Sequence, residues 1–449
     1  MEKVMLRNTL LLATAVCALA GLAHGSPTWI RNYDGEGSNT IKYVLPLSNG
    51  NTVFSATCYS PPFNGSWTAE VDENGDILWN YYNDYPPLGI AEIDSEGYIL
   101  LTGLAASCRV VRLDLSGNEE WEHPASWANS GIVRTADGNF VYKNVYNLVK
   151  IDPDFNTIWD FEPPEPEAIQ MLGPSYSPSG GFAAAGANMG PNYGIFAAGT
   201  ADSLGIFSSV GLFTGGDGDV EALGTYSDVA GNCYSVVQYS IPYPPPTSDE
   251  FVLRFDSNGE VNWSKEIDDL VALCQSSDGH PVVVGENTPY DAATFYIRKL
   301  DSETGNSFWN VVHGNGSESF NPYCIASASD GGFVVGGGSS GIAVLAKTDS
   351  DGLINGAGIE DGFGNALLQI SPVMNPSGGS VLLRIQAPET SGLKLNIFDS
   401  SGRVVSANEI DPPFNGRLVE AGILPTGIYT VNVYSEDAGS SSCRVVVLN

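Results

Sequence analysis

Five aromatic residues stand where a ligand could be met: Tyr59, Phe63, Tyr193, Tyr243 and Tyr290, the fourth of them inside Ile241-Pro-Tyr-Pro-Pro-Pro246. Exposed Tyr beside Pro and Asn suits contact with a glycan or a protein partner. The plainer reading is that Pro and aromatics tie down long loops. Acidic clusters offer a second chemistry. Asp349 and Asp351 share one stretch, Asp217, Asp219 and Glu221 another, and Asp72, Asn74 and Asp76 a third. Calcium takes closely spaced oxygen ligands, yet none of these stretches completes an EF-hand loop, and Asp opens turns on its own account. Calcium therefore stays open, with Asp349 and Asp351 as its candidates, and no other cofactor is expected. After residue 25 only His123, His280 and His313 remain. All three read as surface or loop residues, which argues against a His-based triad or metal centre. Gly337-Gly338-Ser339-Ser340-Gly341 fits G-x-S-x-G. A nucleophile elbow needs a helix after the turn, and here the string joins two apolar strands. No residue stands out as catalytic, and the sequence leans away from an enzyme without deciding the matter.

Those residues must be placed by a β framework. Gly (52) and Pro (27) are frequent in the 449 residues, as turn-rich β proteins require. The formal net charge of -33 disfavours nucleic acid and anionic lipid as partners, because both need clustered Lys and Arg. The first 25 residues read as a signal peptide: Lys3 and Arg7 precede the apolar stretch Leu10 to Ala23, and Ala23-His24-Gly25 suits cleavage before Ser26. Cys17 follows Val16, a poor lipoprotein context. No later run is long enough to span a membrane, so a secreted or outer-surface location is expected. Six cysteines follow: Cys58, Cys108, Cys233, Cys274, Cys324 and Cys443, without C-x-x-C. Free thiols and scattered disulfides are both open.

A repeat organises the chain. An apolar residue and Asp open a turn, and Trp follows seven or eight residues later: Asp72 to Trp79, Asp114 to Trp121, Asp152 to Trp159, Asp256 to Trp263 and Asp301 to Trp309. Gly75, Gly117, Gly259 and Gly305 sit four residues before the Trp, and Phe155 takes that place in the third copy. Asp starts the turn, Gly supplies positive φ, and Trp on the outgoing strand packs on a neighbouring sheet. A second turn-and-strand element alternates with the first, as in Asp137-Gly138 before Phe140 to Tyr142 and Asp330-Gly331 before Phe333 to Val335. The fourth copy is degenerate: Asp202 to Gly205 resembles the turn, with no Trp after it. Four strands per unit at a period of about 45 residues predict an all-β, seven-bladed β-propeller over 26–355. The aromatic loops all join second and third strands, so they should share one face. The last unit lacks an outer strand, and Thr28-Trp29-Ile30-Arg31-Asn32-Tyr33 aligns with the strands at Trp263 and Trp309. Residues 28–33 are expected to complete it and close the ring.

Residues 356–370 read as a Gly-rich linker. Beyond them Val381 to Ile385, Leu393 to Phe398, Arg403 to Ser406, Ile428 to Tyr434 and Arg444 to Leu448 alternate as strands of a small immunoglobulin-like β-sandwich, 371–449. Asn375-Pro376, Leu395-Asn-Ile-Phe-Asp399, Ser401-Gly402-Arg403-Val404-Val405, Leu424-Pro-Thr-Gly427-Ile-Tyr429-Thr-Val431 and Cys443-Arg444-Val445-Val446-Val447 follow in order. This segment resembles the C-terminal (Por-type) sorting domain of type IX secretion, with Arg444 where that family often has Lys. The resemblance implies that 371–449 engages the secretion machinery and is often removed afterwards. The repeats resemble those of secreted bacterial propellers and, loosely, pyrroloquinoline-quinone-type repeats, whose turn motif is architectural. The preferred function is therefore an exported, non-enzymatic propeller that binds a glycan or a protein. The alternative is a secreted propeller lyase, hydrolase or quinoprotein with its site at the central channel.

Overall fold

The computed structural model describes residues 27–354 and 369–447, apart from 36, 61–62, 94–95, 105–106, 126–129, 145–146, 162–168, 172–174, 177–181, 189–194, 215–218, 242–246, 288–293, 314–319, 373–379, 387–391, 400–402, 411–416 and 436–438. The stretch expected to be a signal peptide and most of the expected linker lie outside the described residues. Every regular element among the described residues is a β-strand. Between Trp29 and Lys347 these strands form antiparallel sheets, mostly of four strands, in sequence order. The first sheet holds Ser38–Pro46, Thr52–Ser60, Phe63–Val71 and Ile77–Asn83; the second holds Pro87–Ile93, Gly97–Leu104, Ser107–Leu113 and Glu119–Ala125. The third holds Ser130–Arg134, Phe140–Lys143, Leu148–Ile151 and Thr157–Phe161. In the fourth, Ile169–Met171 and Ser175–Tyr176 both pair with Phe182–Asn188, followed by Ile195–Ala201 and Phe207–Thr214. The fifth holds Asp219–Ser227, Cys233–Ile241, Thr247–Phe255 and Val261–Glu266, and the sixth holds Leu270–Gln275, Pro281–Asn287, Thr294–Leu300 and Ser307–His313. The last takes Asn321–Ser327, Phe333–Ser339 and Ile342–Lys347, and its fourth strand is Trp29–Tyr33, paired from Trp29↔Lys347 to Tyr33↔Ala343.

The turn chemistry explains the hairpins. Asp72 Oδ1 accepts the N–H of Asn74 at 2.8 Å and of Asp76 at 2.9 Å. Gly75 then adopts φ 86°, and the strand register skips at Glu70/Val71. This is a turn closed by a bulge whose left-handed residue favours Gly. Asp114, Asp202, Asp256 and Asp349 cap their turns in the same way. In the third sheet Phe155 takes φ 65° instead.

The Trp of one sheet docks on the turn of the next. A Cβ on Gly117 would meet Trp79 Cε3 at 2.4 Å, one on Gly305 would meet Trp263 at 2.8 Å, and one on Gly352 would meet Trp309 at 2.8 Å. Where Phe155 replaces Gly, Trp121 packs on the ring itself, centroids 6.0 Å apart. Trp29 is buried, lies within 3.2 Å of a Cβ built on Gly75, and donates its indole N–H to Glu73 C=O at 2.8 Å. The N-terminal strand thus pairs with the last sheet and docks on the first. First strands of successive sheets also pack side by side, with Ser38–Pro46 against Asn321–Ser327. The sheets make a closed ring.

First strands carry a feature that hydrophobic alternation does not announce. The pairing register skips one residue at Lys42, Leu88, Gly131, Leu223, Val271 and Tyr323. Such bulges sharpen the twist of an edge strand. The scarce cations have structural work on the third strands. Lys150 bonds Asp137 at 2.6 Å, Arg254 bonds Glu303 at 2.9 Å, Lys299 bonds Asp278 at 2.7 Å, and Lys347 pairs with Asp330. These links tie turns at one end of the ring. Burial alone would raise the Asp137 carboxyl, but Lys150 and two hydrogen bonds bring it down to about 2.

Residues 369–447 form two further sheets, one of Gln369–Pro372, Ser380–Gln386 and Arg417–Ile423, the other of Val404–Ile410, Leu393–Asp399, Gly427–Ser435 and Gly439–Val447. Val381, Leu383 and Ile385 of the first share a core with Leu395, Ile397, Val431 and Val445 of the second. Two of these strands were not legible in the sequence: Arg417–Ile423, and Gln369–Pro372, which begins within the stretch read as linker. Asp399 caps the turn that Arg403 leaves, and Tyr429 OH donates to Pro425 C=O at 3.0 Å.

Candidate functional site

An antiparallel meander puts second-to-third connections at the same end as the connections between sheets. Tyr59 is at this end and 59% exposed. Phe63 begins a third strand, though its side chain is outside the described residues, as are Tyr193, Tyr243 and Tyr290. Tyr243 and Tyr290 fall in the connections of the fifth and sixth sheets.

Between those two sheets, opening at this end, lies a polar groove of about 480 Å³ lined by Glu266, Asp268, Asp269, Glu286, Tyr296, Arg298 and Asn310, with Ile267. Its floor is the short connection from the fifth to the sixth sheet, and each polar backbone group named here has a partner. Ile267 N–H donates to Glu250 C=O at 3.0 Å, and Asp269 C=O accepts from Glu286 N–H at 2.9 Å. Asp269 N–H donates to Glu250 Oε2 at 3.2 Å, and Tyr296 OH donates to Asp268 C=O at 2.8 Å. Glu250 is itself buried and held by Gln238 Nε2 at 2.9 Å. The connection is therefore rigid while the Asp268 and Asp269 side chains stay exposed. Asp269 sits at φ 57°, a left-handed conformation that costs a non-Gly residue about 1 kcal/mol. Such strain persists where the surroundings enforce it, and it clusters at binding sites.

Electrostatics mark the same place. Burial, and then Asp269, push the Glu286 carboxyl above its usual range. Arg298 lies 5.2 Å over the Tyr296 ring, and its buried Nε has no hydrogen-bond partner among the described residues. A donor fork, carboxylate acceptors and an amide thus line one groove, with Tyr296 buried behind them. Sequence reading missed it because its residues come from four strands and a connection. The only local signal was Ile267-Asp268-Asp269 between two strands.

A second cavity of about 620 Å³, at the opposite end, is lined by Leu47, Ser48, Asn49, Glu70, Glu92, Tyr98, Leu115 and Arg134. There Glu70 accepts from Asn51 at 2.6 Å, Trp79 Nε1 at 2.7 Å and Tyr98 OH at 3.0 Å. That carboxylate is engaged by its own fold, which gives this cavity a structural rather than a recognition role.

The other sequence candidates resolve as follows. Asp349 Oδ1 accepts the N–H of Asp351 and Leu353 as a turn cap, and among the described residues no group of three or more metal-ligating side chains converges. Asp217 lies outside the described residues, as do the side chains of Asp219 and Glu221. Ser339 ends a strand, and Ser340 and Gly341, at φ 47° and 86°, form a tight hairpin turn into the next strand. No disulfide joins Cys58, Cys108, Cys233, Cys274 or Cys324. Burial pushes Cys274 and Cys324 up to about 12, so they are unreactive thiols rather than nucleophiles.

The histidines are structural. His280 Nδ1 accepts Ser302 N–H at 3.1 Å, and His123 stacks on Phe155 at 5.1 Å. His313 corrects the surface reading: it is 8% exposed and donates Nε2–H to Gly352 C=O at 2.8 Å. It ends the strand behind Trp309, inside the interface between the sixth and last sheets. Burial holds it down at about 4, so near neutral pH it is uncharged in the fold. Protons then bind the unfolded chain first, and stability falls as pH drops from about 6.5 toward 4. The loss from this group is about 2–3 kcal/mol. Urea midpoints at pH 7 and pH 4.5 should converge in His313→Gln relative to wild type; an unchanged pH dependence would contradict the assignment.

No family model matches the chain, and no curated protein matches it. Among solved structures, a catalytically inactive histidine-to-alanine form of virginiamycin B lyase from Staphylococcus aureus, with quinupristin, superposes with a TM-score of 0.51 at 12% identity, over 72% of this chain and 99% of that one. A streptogramin B lyase gives 0.50 at 11% identity, over 72% and 97%. The chain has a propeller-like fold. At this identity the likeness carries the architecture alone.

Proposed function

We propose that the chain is a seven-bladed propeller, exported under its signal peptide (1–25) and an immunoglobulin-like sorting domain (371–449), that binds a glycan in the groove between its fifth and sixth sheets. The groove's lining carries this reading. Carboxylates accept from sugar hydroxyls, and Arg298 and Asn310 donate to them. The rigid connection spares the ordering cost that a mobile loop would impose on binding. Aromatic Tyr243 and Tyr290, in the flanking connections, suit the same ligand class. Export fits the leader, the acidic surface and the C-terminal motif.

Asp269 gives a test with two opposite signs. Asp269→Gly should raise stability by about 0.5–1 kcal/mol, because Gly relieves the left-handed strain. The same change should weaken glycan binding at least tenfold. A glycan array on the full chain, followed by titration of wild type, Asp269→Gly and Arg298→Met, reads both effects. A variant that is more stable and binds as well as wild type would remove the groove from the site.

The enzyme alternative has one observation in its favour: Glu286, its carboxyl pushed up by burial and by Asp269, shares the groove with a second carboxyl group, and such a pair is the usual equipment of acid–base chemistry. That pairing suits hydrolysis or elimination. The lyase matched above loses activity when a histidine is replaced, whereas the three histidines of this ring are all engaged elsewhere. Turnover of an array hit, abolished in Glu286→Gln, would establish catalysis in place of binding alone.

A further inference from the structure

Four third-strand cations of the ring each meet a carboxylate: Lys150 with Asp137, Arg254 with Glu303, Lys299 with Asp278 and Lys347 with Asp330. The groove between the fifth and sixth sheets departs from that balance. Glu266, Asp268, Asp269 and Glu286 line it, against Arg298 as the one cation of its described lining. Glu266, Asp268 and Glu286 enter no ion pair among the described residues. The floor beneath them is fixed by backbone atoms: Tyr296 OH donates to Asp268 C=O, and Glu286 N–H donates to Asp269 C=O. The carboxylates of Asp268 and Glu286 can therefore be changed without removing those bonds.

The groove has two levels. Asp268, Asp269 and Glu286 stand at the mouth, where Glu286 pairs with Phe295, the second residue of its strand. Arg298 comes three residues further along that strand, about 10 Å deeper, beside its register partner Asn310. The mouth is crowded with negative charge: burial, and after it Asp269, oppose ionisation of Glu286. A cation seated there would offset both. The deeper level has the opposite need, since Arg298 can only donate and its buried Nε has no hydrogen-bond partner among the described residues. An ammonium carries three N–H donors and can serve several carboxylates at once, and sugar oxygens accept. Building on the glycan-binding function, on which this inference rests, we propose that the groove selects an amino sugar whose amine is free. The protonated amine is held by the carboxylates at the mouth, and oxygens of the same sugar chain accept from Arg298 and Asn310. The charge of the lining also disfavours uronic acids and sulfated sugars, whose anions would meet the mouth first.

Calorimetric titration of the full chain with a glucosamine trisaccharide, its fully N-acetylated form and trilysine tests this. The free-amine sugar should bind about tenfold more tightly than either comparator. Asp268→Asn and Glu286→Gln should each lower that preference about threefold. Glu73→Gln removes an equal charge from an exposed turn of the first sheet and should leave the preference unchanged. Equal affinity for the N-acetylated sugar or for trilysine would overturn the proposal. So would an equal loss in Glu73→Gln, which would mean general attraction to a chain of net charge -33. If the N-acetylated sugar binds as tightly and Arg298→Met weakens it, the amine preference fails while the groove remains the glycan site. If neither sugar responds to Arg298→Met or Asp268→Asn, the groove is not the site at all.

Discussion

Trp29→Ala will lower the stability of the ring by about 3–5 kcal/mol, the cost of emptying a buried Trp site. The position lies near the start of the described residues, and the first residues of a domain ordinarily tolerate change. Here the expectation reverses. Trp29 is 2% exposed, pairs with Lys347, docks beside Gly75 and bonds Glu73 C=O. Tyr33 on the same strand donates to Gly75 C=O at 2.8 Å. One short strand therefore holds the first and last sheets together. Without it the last sheet exposes an edge, and the docking surface of the first turn is bare. Urea unfolding of wild type and variant measures the difference. A loss under 1 kcal/mol would mean that the ring does not depend on this strand.

Gly117→Val will cost about 4 kcal/mol or prevent folding. Two penalties combine at this turn. The backbone is at φ 76°, which a β-branched residue resists. The added Cβ would also lie 2.4 Å from Trp79 Cε3, and that half-buried indole, held by its bond to Glu70, would have to shift. Gly138→Ala separates the penalties. Its φ is 82°, but the nearest atom to a new Cβ is the Arg134 guanidinium at 3.7 Å. That variant should lose only about 1 kcal/mol. Equal losses at both positions would show that the Trp contact contributes nothing.

The architecture was legible because one local rule recurs. Asp opens a turn, a left-handed residue closes it, and Trp leaves on the outer strand. Nothing in that rule depends on distant residues until the Trp reaches the next sheet, so it survives as a pattern in sequence. Trp29 was recognisable for the same reason, since its segment matches those at Trp263 and Trp309. The bulges at Lys42 and Tyr323 were invisible, because they arise from fitting an inner edge rather than from residue type. His313 was misread: it follows a Trp strand and looks like a loop residue, yet the next sheet's turn covers it. The groove was the least legible feature. Asp269, Glu286, Arg298 and Asn310 are up to 41 positions apart, and only the stacking of one sheet beside another brings them together. The aromatic connections and the calcium candidates drew notice by composition. Asp349 proved to cap its own turn.

Hydrogen–deuterium exchange on the full chain, with and without a glycan selected on the array, addresses the binding claim most directly. Protection should concentrate at 266–269 and across 286–298. Protection confined to the opposite end, around 47–49 and Arg134, or none on ligand addition, would contradict it.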